Sequence, residues 1–365
     1  MSRLSCCAFV LLIVAGAKLG ETMVSAQAPA PEPARIVTVD GVKLNAVFYP
    51  SPKKNSPTVI MLHPIGDGKN IKMPGWKSLA TTLQTAGYAV MMFDFRGHGD
   101  STTIDDTQVF LNYPANRNNV KLKEKDTIVF KDYKNSTSAY LPVLINDIAA
   151  VKAYLDRKND KEECNTASTI VIGADQGATL GAIWMNSEWS RYKYTPPINM
   201  FTKGEFDKRP EGKDIIAAVF LTIQPKLGTR IVSIGSVLKV PCRDQGTAAT
   251  FFYGKDDGDS KKLAKALEAV LKFPKTSKKH DYIGAVELNT NLSGAKLLQA
   301  ELEADKAIVD YLDKVVTERG NEWSMKDAQN ASFMWRIPGI LQPIPAKLAK
   351  GEKNLNFSDY YKFIP

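Results

Sequence analysis

The stretch STIVIGADQGATLGAIWMN, residues 168–186, changes character around one acidic residue. Its first part is apolar and β-branched, which predicts a buried strand, and its last part has the spacing of a buried helix. Gly173 and Gly177 bracket the junction, where a side chain would crowd the backbone of a sharp turn. The turn exposes its middle residue, Asp175, at the end of the strand. The sequence thus places a carboxylate where a buried strand turns sharply into a helix.

Strand-like and helix-like segments alternate along the chain on both sides of this stretch. Apolar runs predict strands at 56–63 and 89–95 before it, and at 215–222, 248–254 and 282–288 after it. Amphipathic helical patterns separate these runs. The alternation predicts an α/β fold with a mostly parallel central sheet and helices on both faces.

Three segments fall outside the alternation, at 102–140, 187–213 and 317–365. Insertions at the carboxyl ends of strands usually cover a pocket, and we expect this of the first two. The third is rich in Trp, Tyr and Phe, which predicts that it packs on the domain. Only a short segment follows the strand at 215–222, so no large cap domain is expected.

The N-terminus predicts export. Residues 1–28 have Arg3 in front of a short apolar run and end in Ala26-Gln27-Ala28, the pattern of a signal peptide that is too short to span a membrane. An uncleaved N-terminal anchor is the alternative. The expected order is a signal peptide (1–28), a linker (29–35), a core domain (36–316) and a C-terminal extension (317–365), with a periplasmic or extracellular location.

Composition excludes several partners. The formal charge is +9, but no dense Lys/Arg run and no nucleic-acid motif is present, so a nucleic acid is not an expected partner. No metal-ligand spacing or cofactor motif is present, and we predict neither a metal nor a cofactor. Cys164 and Cys242 are the cysteines beyond the predicted signal peptide, and both a disulfide and two buried thiols remain open for them.

Five motifs, taken in chain order, resemble those of the α/β hydrolases, in particular the lipase-like and esterase-like members. The resemblance covers roughly residues 36–316. The motifs are MLHPIG, FDFRGHGDS, GADQGA, FYGKDD and ELNTNLSGAKLL.

The resemblance implies a role for each position of the site. Asp175 occupies the nucleophile position and Asp257 the acid position, while Ser293 falls where the family has its catalytic His. The backbone N–H groups of Ile65 and Gln176 would form the oxyanion hole. Haloalkane dehalogenases and epoxide hydrolases are family members that use an Asp nucleophile.

An Asp nucleophile forms an ester that water must hydrolyse, and the family activates that water with a His. A serine hydroxyl has no useful basicity near neutral pH, so Ser293 cannot replace it. His63 and His98 belong to loops at the carboxyl end of the sheet and are the pocket neighbours available as substitutes. His280 precedes the last strand and is expected at the opposite edge.

Two functional hypotheses follow. The first is a catalytically degenerate α/β hydrolase with a binding or structural role. The alternative is an active hydrolase in which Asp175 attacks an ester, epoxide or halide substrate and an unexpected His activates water. A third and lesser option is a pair of carboxylates, Asp175 and Asp257, that share a proton or a cation. The sequence does not identify the small-molecule ligand.

Overall fold

The computed structural model describes residues 28–134, 140–199, 201, 204–272, 282–329, 331–335 and 344–346. Strands dominate its centre, and the chain order of those in the described part is as follows: β1 Glu32–Val37, β2 Val42–Tyr49, β3 Pro57–Leu62, β4 Ala89–Phe93, β5 Thr103–Ile104, β6 Asn165–Ala174, β7 Arg191–Thr195, β8 Glu205–Pro210, β9 Ile215–Leu221, β10 Lys226–Leu227, β11 Arg230–Ile231, β12 Ala248–Gly254, β13 Ile283–Leu288, β14 Phe333–Trp335 and β15 Ile344–Ala346. The predicted signal peptide, residues 1–28, lies outside this part except for its last residue.

The central sheet has the order β1-β2-β4-β3-β6-β9-β12-β13, with β5 paired to β2. The pairs from β4 to β13 are parallel, whereas β1 with β2 and β2 with β4 are antiparallel. Strands β3, β4, β6, β9 and β12 are buried along their whole length, because helices cover both faces of the sheet. The predicted fold class is therefore confirmed.

The helices fall between the strands as the alternation predicts. They are α1 Trp76–Ala86, α2 Thr107–Asn112, α3 Pro114–Asn119, α4 Ile145–Asn159, α5 Gln176–Glu188, α6 Ile234–Leu238, α7 Gly258–Leu271 and α8 Ala304–Arg319. Single 3₁₀ or π turns supplement them at Phe130–Asp132, Leu141–Leu144, Glu211–Asp214, Lys239–Asp244, Gly294–Leu298 and Ala300–Leu302. Between β9 and β12 the described chain has only short elements, so no large cap domain is inserted there.

Two apolar clusters form the core, one on each face of the sheet. Neighbouring residues of β6 illustrate the separation, since Val171 packs with the α4–α5 side and Ile172 packs with the α1–α8 side. Side chains of a strand alternate between its faces, and a strand between two helical layers therefore contributes to both cores.

The insertion at 187–213 lies on the opposite side of the domain from where we expected it. Its strands β7 and β8 join β14 and β15 in a separate sheet of order β15-β14-β7-β8. The insertion follows α5 and leads into the first residue of β9, so it lies at the amino edge of the parallel strands and does not cover the elbow. The described part of the C-terminal extension contacts the same edge, where the Asn159 side chain donates to the Ser324 carbonyl (3.0 Å) and Lys326 pairs with Asp214 (2.6 Å).

Cys164 and Cys242 are both free and buried. The disulfide that the sequence left open is absent, and the two thiols belong to the packed interior. Burial raises the pKa of each thiol to about 12, which keeps both protonated at physiological pH.

Candidate functional site

Asp175 occupies a sharp turn between β6 and α5. Its backbone has φ 51° and ψ −126°, a conformation that costs a non-glycine residue about 1–3 kcal/mol. Its N–H donates to the Leu221 carbonyl at the end of β9 (3.0 Å). The surrounding sheet thus holds the strained residue in place and directs its side chain away from the strand end.

The two glycines of the turn allow this geometry. A Cβ on Gly173 would lie 2.6 Å from the Ala178 Cα, and a Cβ on Gly177 would lie 2.2 Å from the His63 carbonyl oxygen. Real Cβ atoms do not approach backbone so closely, so α5 could not begin this near to β3 and β6 with larger residues. The Gly-x-x-x-Gly pattern in the sequence therefore reflects the close packing of α5 against β3 and β6.

The two predicted oxyanion donors are both at this edge. Ile65 follows β3 and Gln176 is the first residue of α5. Within the described part of the chain, neither backbone N–H donates a hydrogen bond to another group. The Gln176 side chain is engaged elsewhere, since its Oε1 accepts from the Gly228 N–H (2.7 Å). The backbone donors remain available to an oxygen atom of a ligand.

The Asp175 carboxyl is partly desolvated. Burial raises its pKa to about 6, and the negative charge of Asp257 adds to this effect. The positive charges of Lys69 and Lys296 and a hydrogen bond from Gln224 act in the opposite direction. The carboxyl therefore titrates just below neutral pH.

Gly294 lies directly against the Asp175 carboxylate. A Cβ on Gly294 would be 2.0 Å from Oδ2 of Asp175, and Gly294 itself has φ 58°. Its N–H donates to Oγ1 of Thr222 (2.9 Å). The resemblance placed Ser293 at the position of the base. Ser293 is exposed, and the Asp175 carboxylate lies beside the next residue, Gly294. No side chain fits at position 294 while the carboxylate keeps this position.

Asp257 forms hydrogen bonds within its own helix. It caps the N-terminus of α7, where its carboxylate accepts from the Ser260 N–H (3.1 Å) and from the Ser260 hydroxyl (2.7 Å). In the family pattern an acid here would orient a His, whereas this Asp stabilises the start of a helix.

His63 is fully buried behind the oxyanion loop. Its Nε2 accepts from the Phe95 N–H (3.1 Å), and its Nδ1 donates to the Pro64 carbonyl (2.6 Å), which assigns the Nδ1–H tautomer. Burial, followed by the charge of His98, lowers its pKa to about 3. The ring is neutral at physiological pH and both of its nitrogens are occupied.

His98 repeats the same arrangement in the turn after β4. Its Nε2 accepts from the Gly66 N–H (3.2 Å) and its Nδ1 donates to the Arg96 carbonyl (2.9 Å). Burial is the main cause that lowers its pKa. Neither described histidine therefore offers a free nitrogen to Asp175, and His280 lies outside the described residues.

The comparison with known families agrees with this architecture. Residues 57–188, from β3 to the end of α5, match the family model described as the alpha/beta hydrolase fold. The match contains strands β3, β4 and β6 of the parallel sheet and the elbow at Asp175.

The chain has the α/β-hydrolase fold.

Several solved structures are similar to it. Dienelactone hydrolase from Anabaena variabilis has 14% identity and a TM-score of 0.47, over 79% of this chain and 98% of that one. The Pyrococcus furiosus esterase Pf2001 has 15% identity and a TM-score of 0.48, over 78% and 91% of the two chains. Est1E from Butyrivibrio proteoclasticus with bound ferulic acid has 13% identity and a TM-score of 0.49, over 78% and 100%. No curated protein sequence matches the chain.

Within this α/β-hydrolase fold, sequence analysis missed three residues that contact the elbow. Thr222 follows β9 with φ 53°, Gln224 donates a hydrogen bond to Asp175, and Gly294 packs on its carboxylate. The glycine after Ser293 was a visible signal for a close backbone approach, but Thr222 carries no such signal because β-branched residues rarely adopt positive φ.

Among the residues that the structure describes, no group of three or more His, Cys, Asp or Glu is arranged to hold a metal ion. None of the described helices combines the length and the apolar character needed to cross a bilayer.

Proposed function

We propose that this protein is an exported α/β-hydrolase-fold protein that binds a small molecule at the elbow and has no hydrolytic turnover. One observation carries the proposal. The Asp175 carboxylate packs against Gly294, next to Ser293 at the position where the resemblance expects a catalytic His, and neither described histidine has a ring nitrogen free to replace that base.

The chemistry explains why this arrangement blocks turnover. Attack by Asp175 on a substrate carbon would produce an ester, and its hydrolysis requires a base that activates water. His63 and His98 use both ring nitrogens for backbone hydrogen bonds, and the Ser293 hydroxyl is not basic. Within the described residues the site therefore has no group suited to the second step.

The retained features support binding. The N–H groups of Ile65 and Gln176 have no partner in the described part, which suits a carbonyl or hydroxyl oxygen of a ligand. The backbone at Asp175 is strained, and strained residues cluster at ligand-binding sites as well as at active sites.

The proposal is tested with a panel of p-nitrophenyl esters, epoxides and haloalkanes. We expect the same rate for the wild-type protein, for Asp175→Asn and for buffer. The matched control is Asp256→Asn, which removes an exposed carboxylate next to Asp257. A saturable rate that Asp175→Asn abolishes and Asp256→Asn preserves would overturn the proposal.

The alternative, an active enzyme with Asp175 as nucleophile, is favoured by one observation. Asp175 retains the positive φ that exposes a nucleophile, and strained residues of this kind cluster at active sites. This hypothesis requires an ester adduct on Asp175, which intact-mass measurement after a rapid acid quench would detect. Its absence with every member of the panel excludes the alternative for those substrate classes.

Export is supported by the sequence of residues 1–28 alone. We expect the protein secreted by its own host to begin close to residue 29. N-terminal sequencing checks this, and recovery of an intact N-terminus from the membrane fraction would instead support the uncleaved anchor.

A further inference from the structure

The charges around the elbow are balanced only while the Asp175 carboxyl is ionised. The charges of described residues that act most strongly on this carboxyl are those of Lys69, Asp257 and Lys296. The two lysines balance the two aspartates when Asp175 is ionised. A proton on Asp175 therefore leaves one positive charge without compensation, and a ligand with a single negative charge neutralises it.

Lys69 lies beside the oxyanion loop. Its side chain packs on Gly66, the residue after Ile65, since a Cβ on Gly66 would lie 3.6 Å from Cγ of Lys69. Lys69 is only partly exposed, and its ammonium makes neither a salt bridge nor a hydrogen bond with another residue of the described part. This ammonium is therefore available to an anion that binds next to the Ile65 N–H.

Backbone donors and a second lysine surround the same place. The N–H groups of Ile65 and Gln176 donate to no other described group, and Gln176 begins the helix α5, whose N-terminus favours negative charge. Lys296 follows Gly294 by two residues, and Gly294 packs on the Asp175 carboxylate. Lys296 is exposed, so it adds positive charge at the rim of the site.

Protonation of Asp175 costs little near neutral pH. Burial is the main cause that raises the pKa of this carboxyl to about 6, although the charge of Lys69 opposes it. A carboxylate bound beside Asp175 raises that pKa further, because two adjacent carboxylates repel each other when both are ionised. Burial also lowers the pKa of His63 and of His98, which disfavours a positive charge on either ring.

We propose that the elbow binds a small monocarboxylate while Asp175 is protonated. One oxygen of the ligand accepts from the N–H groups of Ile65 and Gln176, and the other pairs with the Lys69 ammonium. An uncharged ligand leaves Lys69 uncompensated, and a dianion such as phosphate brings more negative charge than the site balances. The inference names the ligand class of the proposed binding site and therefore rests on the proposed function.

Isothermal titration of the full chain with benzoate and butyrate tests the inference, with benzamide and butyramide as uncharged analogues. Both carboxylates are ionised at about pH 5.5 and above, since the ordinary pKa of a carboxyl group is near 4. For at least one of them we expect an affinity at least about tenfold higher at pH 5.5 than at pH 7.5, because the protein must take up a proton at the higher pH. The amides should bind at least about tenfold more weakly at pH 5.5 and show no such change.

The variants Asp175→Asn and Lys69→Gln separate the two interactions. Asp175→Asn has an uncharged side chain at every pH, so it should bind at pH 7.5 about as tightly as the wild type binds at pH 5.5. Lys69→Gln should weaken binding at least about tenfold at pH 5.5. The matched control is Lys72→Gln, which should leave binding unchanged, because Lys72 lies in the same loop and pairs with Asp100 (2.9 Å).

The inference is overturned if neither carboxylate binds saturably, if the amides or inorganic phosphate bind as tightly, or if Lys69→Gln has no effect. It is also overturned if the pH dependence persists in Asp175→Asn. Tight binding of the amides would leave the proposed function intact, because an uncharged small molecule would then occupy the elbow. The proposed function fails separately, through a rate with the esters, epoxides or haloalkanes that depends on Asp175.

Discussion

At the scale of single residues, the elbow depends on two positions, 175 and 294, whose side chains compete for the same space. The Asp175 carboxylate needs the space beside Gly294, and Gly294 in turn has no room for a Cβ while that carboxylate is there. The partly desolvated carboxyl is also unfavourable for folding, because burial raises its pKa to about 6. Asp175 therefore lowers the free energy of unfolding near neutral pH. This effect can be measured without a known ligand.

Replacing Asp175 by Asn is expected to stabilise the protein near pH 7.5 by roughly 1–3 kcal/mol. The pKa of Asp175 is raised from 3.8 to about 6 in the folded state, so between these pH values the folded protein binds a proton that the unfolded chain has released. The free energy of unfolding of the wild type therefore falls as the pH rises from about 4 to about 6. The gain from Asp175→Asn should be present above pH 6 and smaller at pH 4.

Urea unfolding at several pH values measures this gain, with Asp256→Asn as the exposed control. A pH-independent difference between Asp175→Asn and the wild type would show that the carboxyl is well solvated in the folded protein.

The variant Gly294→Ala is expected to lose about 2 kcal/mol or more of stability, from the clash with the carboxylate and from the positive φ. In an Asp175→Ala background only the backbone strain should remain, so the second change should cost less there. A double-mutant cycle by chemical denaturation gives the coupling between the two positions. Additive effects would mean that the two side chains do not share the same space.

At the scale of elements, one buried arginine connects parts of the chain that are far apart in sequence. Arg96 follows β4, has no solvent exposure and pairs with Asp40 in the β1–β2 turn (2.6 Å) and with Asp147 in α4 (2.7 Å). Asn116 of α3 also donates to Asp40 (2.7 Å). The network fixes the insertion at 102–140 to the sheet and thereby supports the loop that holds His98.

We expect Arg96→Met to lose about 3–5 kcal/mol of stability, because it leaves two buried carboxylates without their cation. The charge of Arg96 keeps the pKa of Asp40 below its usual range, and its loss lets both carboxyls take up protons. The destabilisation should therefore be larger at pH 7 than at pH 4.5 in thermal or urea unfolding. Lys43→Met, which removes a partly exposed pair with Asp105, should have little effect. Equal losses for the two variants would contradict the role given to the buried network.

Elements were predictable where periodicity and glycine positions carry the signal. The apolar run before Gly173 predicted β6, and the helical spacing after Gly177 predicted α5. The contact between Asp175 and Gly294 was not predictable, because the direction of a carboxylate depends on three-dimensional packing. Nor does a sequence reveal that Nε2 of His63 accepts from the distant Phe95 N–H while its Nδ1 donates to the adjacent Pro64 carbonyl.

At the scale of the whole molecule, chain connectivity decides which edge of the sheet each insertion reaches. The segment 102–140 follows the carboxyl end of β4, whereas 187–213 follows a helix and precedes β9. Both segments were expected to cover a pocket at the carboxyl ends of strands, but the position of the second in the α/β alternation places it at the amino edge.

The central claim is that no histidine lies beside the Asp175 carboxylate to act as a base. A ¹⁵N NMR titration of the three histidines tests this claim most directly, because the measurement needs no ligand. Wild type and Asp175→Asn are compared from pH 4 to pH 8, and the measurement includes His280. We predict that His63, whose pKa is lowered to about 3, is a neutral Nδ1–H tautomer over most of this pH range. The pKa of His98 should lie below the usual range of a histidine, and no histidine pKa should change when the Asp175 charge is removed. A histidine whose pKa falls by about one unit in Asp175→Asn would lie beside the carboxylate as a base, and the protein would then be an enzyme.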